Sequence, residues 1–336
     1  MRNRWAIATL LMAGLALSAG AEKKPTLVKP MAGPRATALR ITILYVAPDK
    51  ESQKVDRVQI GREMVVAEKS GPWMRVYANT DVKQLQDQKD APVLSSEEDN
   101  QPPVSGWIEA KGIVVENTPN GDQILMGEAA SQEALAQDPR GPINAAQSAR
   151  LLYRRLVEMF PNSPLVPEAA WRTADVQWQI DKADQRTRPS SHERDASLRE
   201  PIDDEEMKKV IKQYPHTRQA DLAAFDLLDN KMCGDWQGDA RCPEKESEIY
   251  EKYALEHPDS PRAAQALYQA VYRQAVLTDM YAADENQSRS RAAHAHAAEL
   301  AAKLKERFPA SDDSCRAGTL VYKLDEGIPV YGLDRE

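Results

Sequence analysis

Hydrophobic and polar positions along the chain fall into three regimes. Trp5 to Ala19 is an unbroken run of apolar and small residues, preceded by Arg2 and Arg4. Between residues 38 and 110, short runs rich in β-branched and aromatic residues predict strands: Ala38 to Val46, Val55 to Ile60, Glu63 to Ala67, Trp73 to Tyr77 and Gly106 to Ala110. Gly61, Gly71-Pro72 and Asn79 punctuate them, and five short strands in this space predict a small barrel or sandwich. From residue 143 the apolar positions recur at helical spacing. Helices are expected at about 143–160, 164–181, 201–214, 217–231, 243–257, 260–282, 288–308 and 311–324.

Within the helical regime four marks recur in register. A ring residue precedes proline at Phe160-Pro161, Tyr214-Pro215, His257-Pro258 and Phe308-Pro309. A hydroxyl residue follows at Ser163, Thr217, Ser260 and Ser311, an alanine at Ala169, Ala223, Ala266 and Ala317, and an apolar residue precedes at Leu156, Val210, Tyr253 and Leu304. Proline ends one helix, because it cannot continue the ladder and restricts the residue before it. The hydroxyl is expected to cap the next helix. The alanines are read as repeat-packing positions, where two helix backbones approach closely. Successive prolines are 54, 43 and 51 residues apart, longer than the roughly 34 of a standard tetratricopeptide repeat. The excess is expected in insertions at 181–200, 233–242 and 282–289.

The first regime reads as a signal peptide, residues 1–21, with Ala19-Gly20-Ala21 in the small-x-small form that signal peptidases accept. A retained anchor is the rival, but the run falls short of the roughly 20 residues that cross a bilayer core. Removing Arg2 and Arg4 would take the net charge from −8 to −10, which argues against non-specific binding to nucleic acid. Mean hydropathy is −0.61, and no other long apolar stretch is present, so no integral membrane segment is expected after cleavage. The protein is expected to be exported, to the periplasm or beyond the cell.

The strand region resembles the bacterial SH3 family. The resemblance rests on Val58-Gln59-Ile60-Gly61-Arg62-Glu63-Met64-Val65-Val66, then Ser70-Gly71-Pro72-Trp73-Met74-Arg75-Val76, then Gly106-Trp107-Ile108, in that order. It covers about residues 36–118, after a linker at 22–35. Two departures are plain: Tyr45-Val46-Ala47-Pro48-Asp49 stands where the family has Val-Arg-x-Gly-Pro, and a polar insertion, 81–103, is expected to form a mobile loop. The resemblance implies a peptide or peptidoglycan ligand, with Tyr45, Trp73, Tyr77 and Trp107 as ligand-binding candidates. The competing expectation, favoured for Trp73 and Trp107, is that these rings are core, since a small domain draws much of its apolar area from each Trp. The helical pattern in turn resembles the tetratricopeptide repeats of bacterial envelope proteins, such as outer-membrane assembly lipoproteins and periplasmic cell-division coordinators. That resemblance implies a concave surface that holds other proteins.

Candidate chemistry is sparse. Cys233 and Cys242 are spaced for a disulfide stapling an inter-helix loop, and Cys315 is expected as a buried free thiol. His294 and His296 lie two apart and point in different directions on a helix, so no metal site is assigned to them. His192 is expected in a charged loop and His257 in a packing role. The run Asp203-Asp204-Glu205-Glu206 suits a helix amino terminus. No catalytic motif is found, and neither catalytic residues nor cofactors are assigned.

The expected organisation is therefore α+β and multidomain: a small SH3-like β-barrel (36–118), a linker (119–142), a tetratricopeptide-like α-helical solenoid (143–326) and a tail (327–336). The expected function is a non-enzymatic adaptor of the cell envelope. Its helices would bind envelope proteins and its β-domain a peptide or peptidoglycan. The alternative is an accessory enzyme of cell-wall metabolism.

Overall fold

The computed structural model describes residues 32–81 and 104–331, and among these seven antiparallel strands precede nine α-helices. The expected signal peptide and most of the 22–35 and 81–103 segments lie outside the described residues, as do positions 332–336. The strands are β1 (Arg35–Ala38), β2 (Thr42–Tyr45), β3 (Lys54–Val58), β4 (Glu63–Ser70), β5 (Trp73–Ala78), β6 (Val104–Glu109) and β7 (Ile113–Val115). They form one sheet in the order β3-β2-β6-β5-β4-β1-β7. The sheet is open, with β3 and β7 as its edges, and the coarse expectation of a β-region followed by helices holds.

Two further strands beyond the expected five are explained by pairing between residues distant in sequence. The run 38–46 is broken after Ala38, where the Leu39 N–H donates to the Gly112 carbonyl at 2.9 Å instead of continuing a ladder. β1 then pairs with β4 on one side and β7 on the other, while β2 pairs with β3 and β6. Alternation along the strands sets the core face. Met74, Val76 and Ala78 of β5 are buried with Ile108 of β6, Leu44 of β2, Met64 and Val66 of β4 and Ala36 and Ala38 of β1.

The helices are α1 (Gly121–Ala136), α2 (Ala145–Met159), α3 (Val166–Thr187), α4 (Glu205–Gln213), α5 (Arg218–Asp226), α6 (Arg241–Glu256), α7 (Ala263–Ala283), α8 (Gln287–Arg307) and α9 (Asp312–Asp325). α1 lies in the segment expected as a linker. It buries Leu125 and Ala129 in a core shared with Ala149, Leu152 and Tyr153 of α2, so amphipathic burial outweighs the helix-weakening Gly121 and Gly127. Neighbouring helices pack as α1 with α2, α2 with α3, α4 with α5, α6 with α7 and α8 with α9. Over 282–289 the expected insertion is only a short turn, Asp284 to Asn286. The extra length there sits in α7 and α8, each 21 residues long. At 181–200, α3 runs on to Thr187 and is followed by two 3-10 turns.

The four ring-Pro marks share one local conformation. Phe160, Tyr214, His257 and Phe308 each end a helix at φ between −132° and −124° and ψ between 54° and 60°. Each N–H closes the last turn on the carbonyl of the apolar residue four before it: Leu156, Val210, Tyr253 and Leu304. The hydroxyl residues divide. Thr217 and Ser311 cap α5 and α9, accepting from the Ala220 and Ser314 N–H groups at 3.2 and 3.1 Å. Ser163 and Ser260 stand further upstream, because Pro164 and Pro261 open a preliminary turn. There the side chains accept from the Leu165 and Arg262 N–H groups at 3.2 and 3.1 Å instead.

A buried charge cluster joins sheet and helices. Arg155 of α2 has no exposed surface, and its Nη2 donates to Asp81 Oδ2 at 2.6 Å. Its Nη1 reaches Glu63 Oε2 at 3.1 Å and also Glu158, and its Nε donates to the Gly61 carbonyl at 3.0 Å. Burial alone would raise the Glu63 carboxyl. The hydrogen bond from Arg35, the charge of Arg155 and the Thr80 hydroxyl outweigh it and hold Glu63 below its ordinary range. Gly61 is required twice here: its φ is +78°, and a Cβ would stand 2.6 Å from Leu151 Cβ.

Among the described residues, no helix is long and apolar enough to cross a membrane.

Candidate functional site

The outer face of the sheet carries the four aromatic candidates, and strand alternation puts them there. With Met74, Val76 and Ala78 turned to the core, Trp73, Arg75 and Tyr77 of β5 point outward. In β6, Gly106 and Ile108 are buried while Trp107 is outward. In β2, Leu44 is buried and Tyr45 outward. Trp107 sits directly across from Tyr45 on one side and Arg75 on the other. Tyr45 and Trp73 meet edge to face with ring centroids 5.6 Å apart, an arrangement aromatic quadrupoles favour. Tyr45, Trp73 and Trp107 thus form one cluster over three adjacent strands. Tyr77 shares the face but lies beyond Arg75, opposite Ser105.

All four rings are half-buried. This corrects the expectation that Trp73 and Trp107 are core: neither joins the apolar cluster under the sheet, whose interior is built from Val, Met, Leu, Ile and Ala. The signal was present in the sequence, as alternation of Met74, Val76 and Ala78 with Trp73, Arg75 and Tyr77. Sequence reasoning missed the polar rim of the patch. Glu109, opposite Trp73, pairs with Lys50 Nζ at 2.8 Å. The hydrogen bond from Lys50 holds the Glu109 carboxyl below its ordinary range, and that same bond raises Lys50. No sequence spacing links Lys50 to Glu109. Chemically the face offers flat apolar rings for stacking, with exposed Arg75 and the Lys50–Glu109 pair to orient a polar ligand.

The repeat alanines Ala169, Ala223, Ala266 and Ala317 all have 0% exposure. Each lies in the helix that follows a ring-Pro turn, and each belongs to an apolar cluster shared with a neighbouring helix. Cys233 and Cys242 are disulfide-bonded, with Cα atoms 6.0 Å apart. Their loop rests on Glu246, 2% exposed, which accepts from the Cys233 N–H at 2.9 Å and the Trp236 indole at 3.2 Å and pairs with Arg273 at 3.0 Å. Cys315 is exposed, contrary to the expected buried thiol. In α9 the inward positions are Ser314, Ala317, Leu320 and Leu324, and Cys315 falls beside that stripe.

The histidines disperse. His294 Nε2 meets Asp325 at 2.9 Å, while His296 Nε2 meets Glu251 at 3.0 Å on a different helix, as a two-residue offset requires. His257 stacks on Tyr253 with centroids 4.7 Å apart and contacts Asp221 at 2.8 Å. His192 lies in an exposed turn beside Asp235. Asp203 and Asp204 open α4, with Glu205 and Glu206 in its first turn. Among the described residues, no group of three His, Cys, Asp or Glu side chains is placed to hold a metal ion. No protein-family model matches the chain, and no curated protein matches it.

Proposed function

We propose that this protein is an exported, non-enzymatic adaptor of the bacterial cell envelope. The sheet is read as an SH3-like module that takes a peptide or peptidoglycan on its aromatic face. The helices are read as a tetratricopeptide-like stack that holds a protein partner. The observation that carries the reading is the cluster of Tyr45, Trp73 and Trp107, half-buried on the outer face of the sheet instead of in the core. Rings left partly in water on a flat face gain from covering by a ligand, and aromatic residues dominate binding energy at such surfaces. The four turns of matching backbone geometry support the second half of the reading.

The test is co-sedimentation of the protein with purified peptidoglycan, alongside a Trp73→Ala/Trp107→Ala variant checked for folding by circular dichroism. The variant should bind at least about tenfold more weakly, equivalent to roughly 1.4 kcal/mol. No binding by the unaltered protein, or equal binding by the variant, would sink the sheet half of the proposal. Soluble fragments released from the peptidoglycan would replace the adaptor with a wall enzyme. Affinity capture from envelope extract tests the helical half, which fails if no specific protein is retained.

A further inference from the structure

The segment that follows α9, residues 327–331, turns back across α7 and lies in a slot there. Two consecutive N–H groups, those of Val330 and Tyr331, both donate to Asp279 Oδ2 of α7, at 2.6 and 2.9 Å. The Val330 side chain, 6% exposed, enters the apolar core shared by α6, α7, α8 and α9. The Tyr331 ring stacks on Trp236, with centroids 6.4 Å and planes 25° apart. Among the described residues, Asp279 has no other hydrogen-bond or ion-pair partner.

The two sides of this contact are built differently. The slot is held by groups outside the segment. Trp236 lies in the loop closed by the Cys233–Cys242 disulfide, and its indole N–H donates to buried Glu246 at 3.2 Å. Arg273, itself paired with Glu246, lies 5.7 Å from the Trp236 ring centre. Tyr272, whose ring is 6.3 Å from that of Trp236, and Asp279 are about two turns apart on one face of α7. The occupant has little structure of its own. Past the cap of α9, where the Ile328 N–H donates to the Lys323 carbonyl at 2.8 Å, it forms no helix or strand, and its anchors are Val330 and Tyr331. Opening so short a segment costs far less than unfolding the helices, and it leaves the slot intact. A pair of main-chain N–H groups, one apolar side chain and one ring are features an extended peptide from another protein can also present. We propose that this slot is a peptide-binding site, occupied in cis by residues 327–331, that takes an extended segment of the protein partner in which an apolar residue precedes an aromatic one. The partner's N–H groups replace those of Val330 and Tyr331 on Asp279, and its ring replaces Tyr331 on Trp236. The inference rests on the adaptor reading of the helices, and it names both the chemistry of the partner and the contact that holds the site shut before the partner arrives.

The test is fluorescence anisotropy of dye-labelled Gly-Ile-Pro-Val-Tyr-amide titrated with the full chain. Val330→Ser/Tyr331→Ala, which vacates the slot in cis, should bind the peptide at least about tenfold more tightly than the unaltered chain, because its own segment no longer competes. Tyr331→Ala alone, which leaves Val330 in the core, should bind at least about threefold more tightly. The peptide N-methylated at Val and Tyr should not bind. Asp279→Ala, added to Tyr331→Ala, should weaken binding at least about tenfold, because both N–H groups lose a charged acceptor. Equal affinity of the unaltered and vacated chains, no binding by either vacated chain, or unchanged affinity after N-methylation or in Asp279→Ala would overturn the proposal. A dimer of the unaltered chain that Tyr331→Ala abolishes, read by sedimentation velocity, would also overturn it, making the occupant the same segment of a second copy. Because the probe is defined, failure here is separable from failure of envelope capture, which tests the adaptor reading itself.

Discussion

Replacing Arg155 with methionine tests whether the junction between sheet and helices is held by buried charge. The side chain has no exposed surface and serves Asp81, Glu63, Glu158 and the Gly61 carbonyl at once. The acceptors are not equally dependent on it. Glu63 keeps Arg35 and Thr80, and Glu158 keeps Arg35 at 3.0 Å and Arg154 at 2.7 Å. Asp81, 1% exposed, keeps the more distant Arg62, at 3.8 Å, as its ion-pair partner among the described residues. The substitution therefore strands one buried carboxylate and one carbonyl, for a cost of about 3–5 kcal/mol. That is a large share of the 5–15 kcal/mol typical of a folded domain. Urea unfolding should be read by far-ultraviolet circular dichroism and by Trp fluorescence. If stranded charge is the cause, adding Asp81→Asn to Arg155→Met should recover roughly 2 kcal/mol, a non-additive result for residues in contact. A cost below about 1 kcal/mol for Arg155→Met, or strict additivity of the pair, would refute the argument.

Further outcomes follow from other parts of the molecule. Asp226 has a carboxyl raised to about 7 by burial, then by Asp175 and Asp229, with Trp171 and Arg262 opposing. The folded state holds a proton that the unfolded chain releases near 3.8, so stability falls as pH rises from about 4 to about 7 and levels off above. Asp226→Asn removes that dependence, and its stability relative to the unaltered protein should climb across this window by at most roughly 4 kcal/mol, read from urea midpoints at pH 4.5, 6 and 8. Serine at both Cys233 and Cys242 should lower stability by about 2–3 kcal/mol, with the unaltered protein losing a similar amount in reductant. Ala223→Leu, at a position with 0% exposure, should cost about 1–3 kcal/mol through overpacking, while Leu255→Ala, at 80% exposure, should stay within about 0.5 kcal/mol. Cys315 should react with a thiol reagent in the native protein as fast as in the denatured chain.

What could be read from the sequence was local. The ring-Pro turns are set by a residue and its near neighbours, and all four adopt the geometry that proline and a closing hydrogen bond impose. α1 was hidden because Pro119-Asn120-Gly121 reads as a turn and its burial depends on α2, which is non-local. The break between β1 and β2 was hidden for the same reason, since the Leu39 N–H finds its acceptor at Gly112. Trp73 and Trp107 were misread on size, when the period-two pattern of their strands already turned them outward. The partners of Arg155, at positions 61, 63 and 81, and the meeting of Asp226 with Trp171 and Asp175 leave no periodic trace. Charged residues in a polar-rich chain look alike until the fold selects the few that lose their water.

The tight seat of Gly61 against Leu151 bears on how the molecule would carry load. Were the proposed ligands to hold the sheet and the helices, part of any pull between them would fall on that contact and on the Arg155 ion pairs beside it. Ion pairs excluded from water resist separation over a very short travel and then give way together. Such a joint behaves as a stiff strut with a sharp breaking point, unlike a slack tether that stretches gradually.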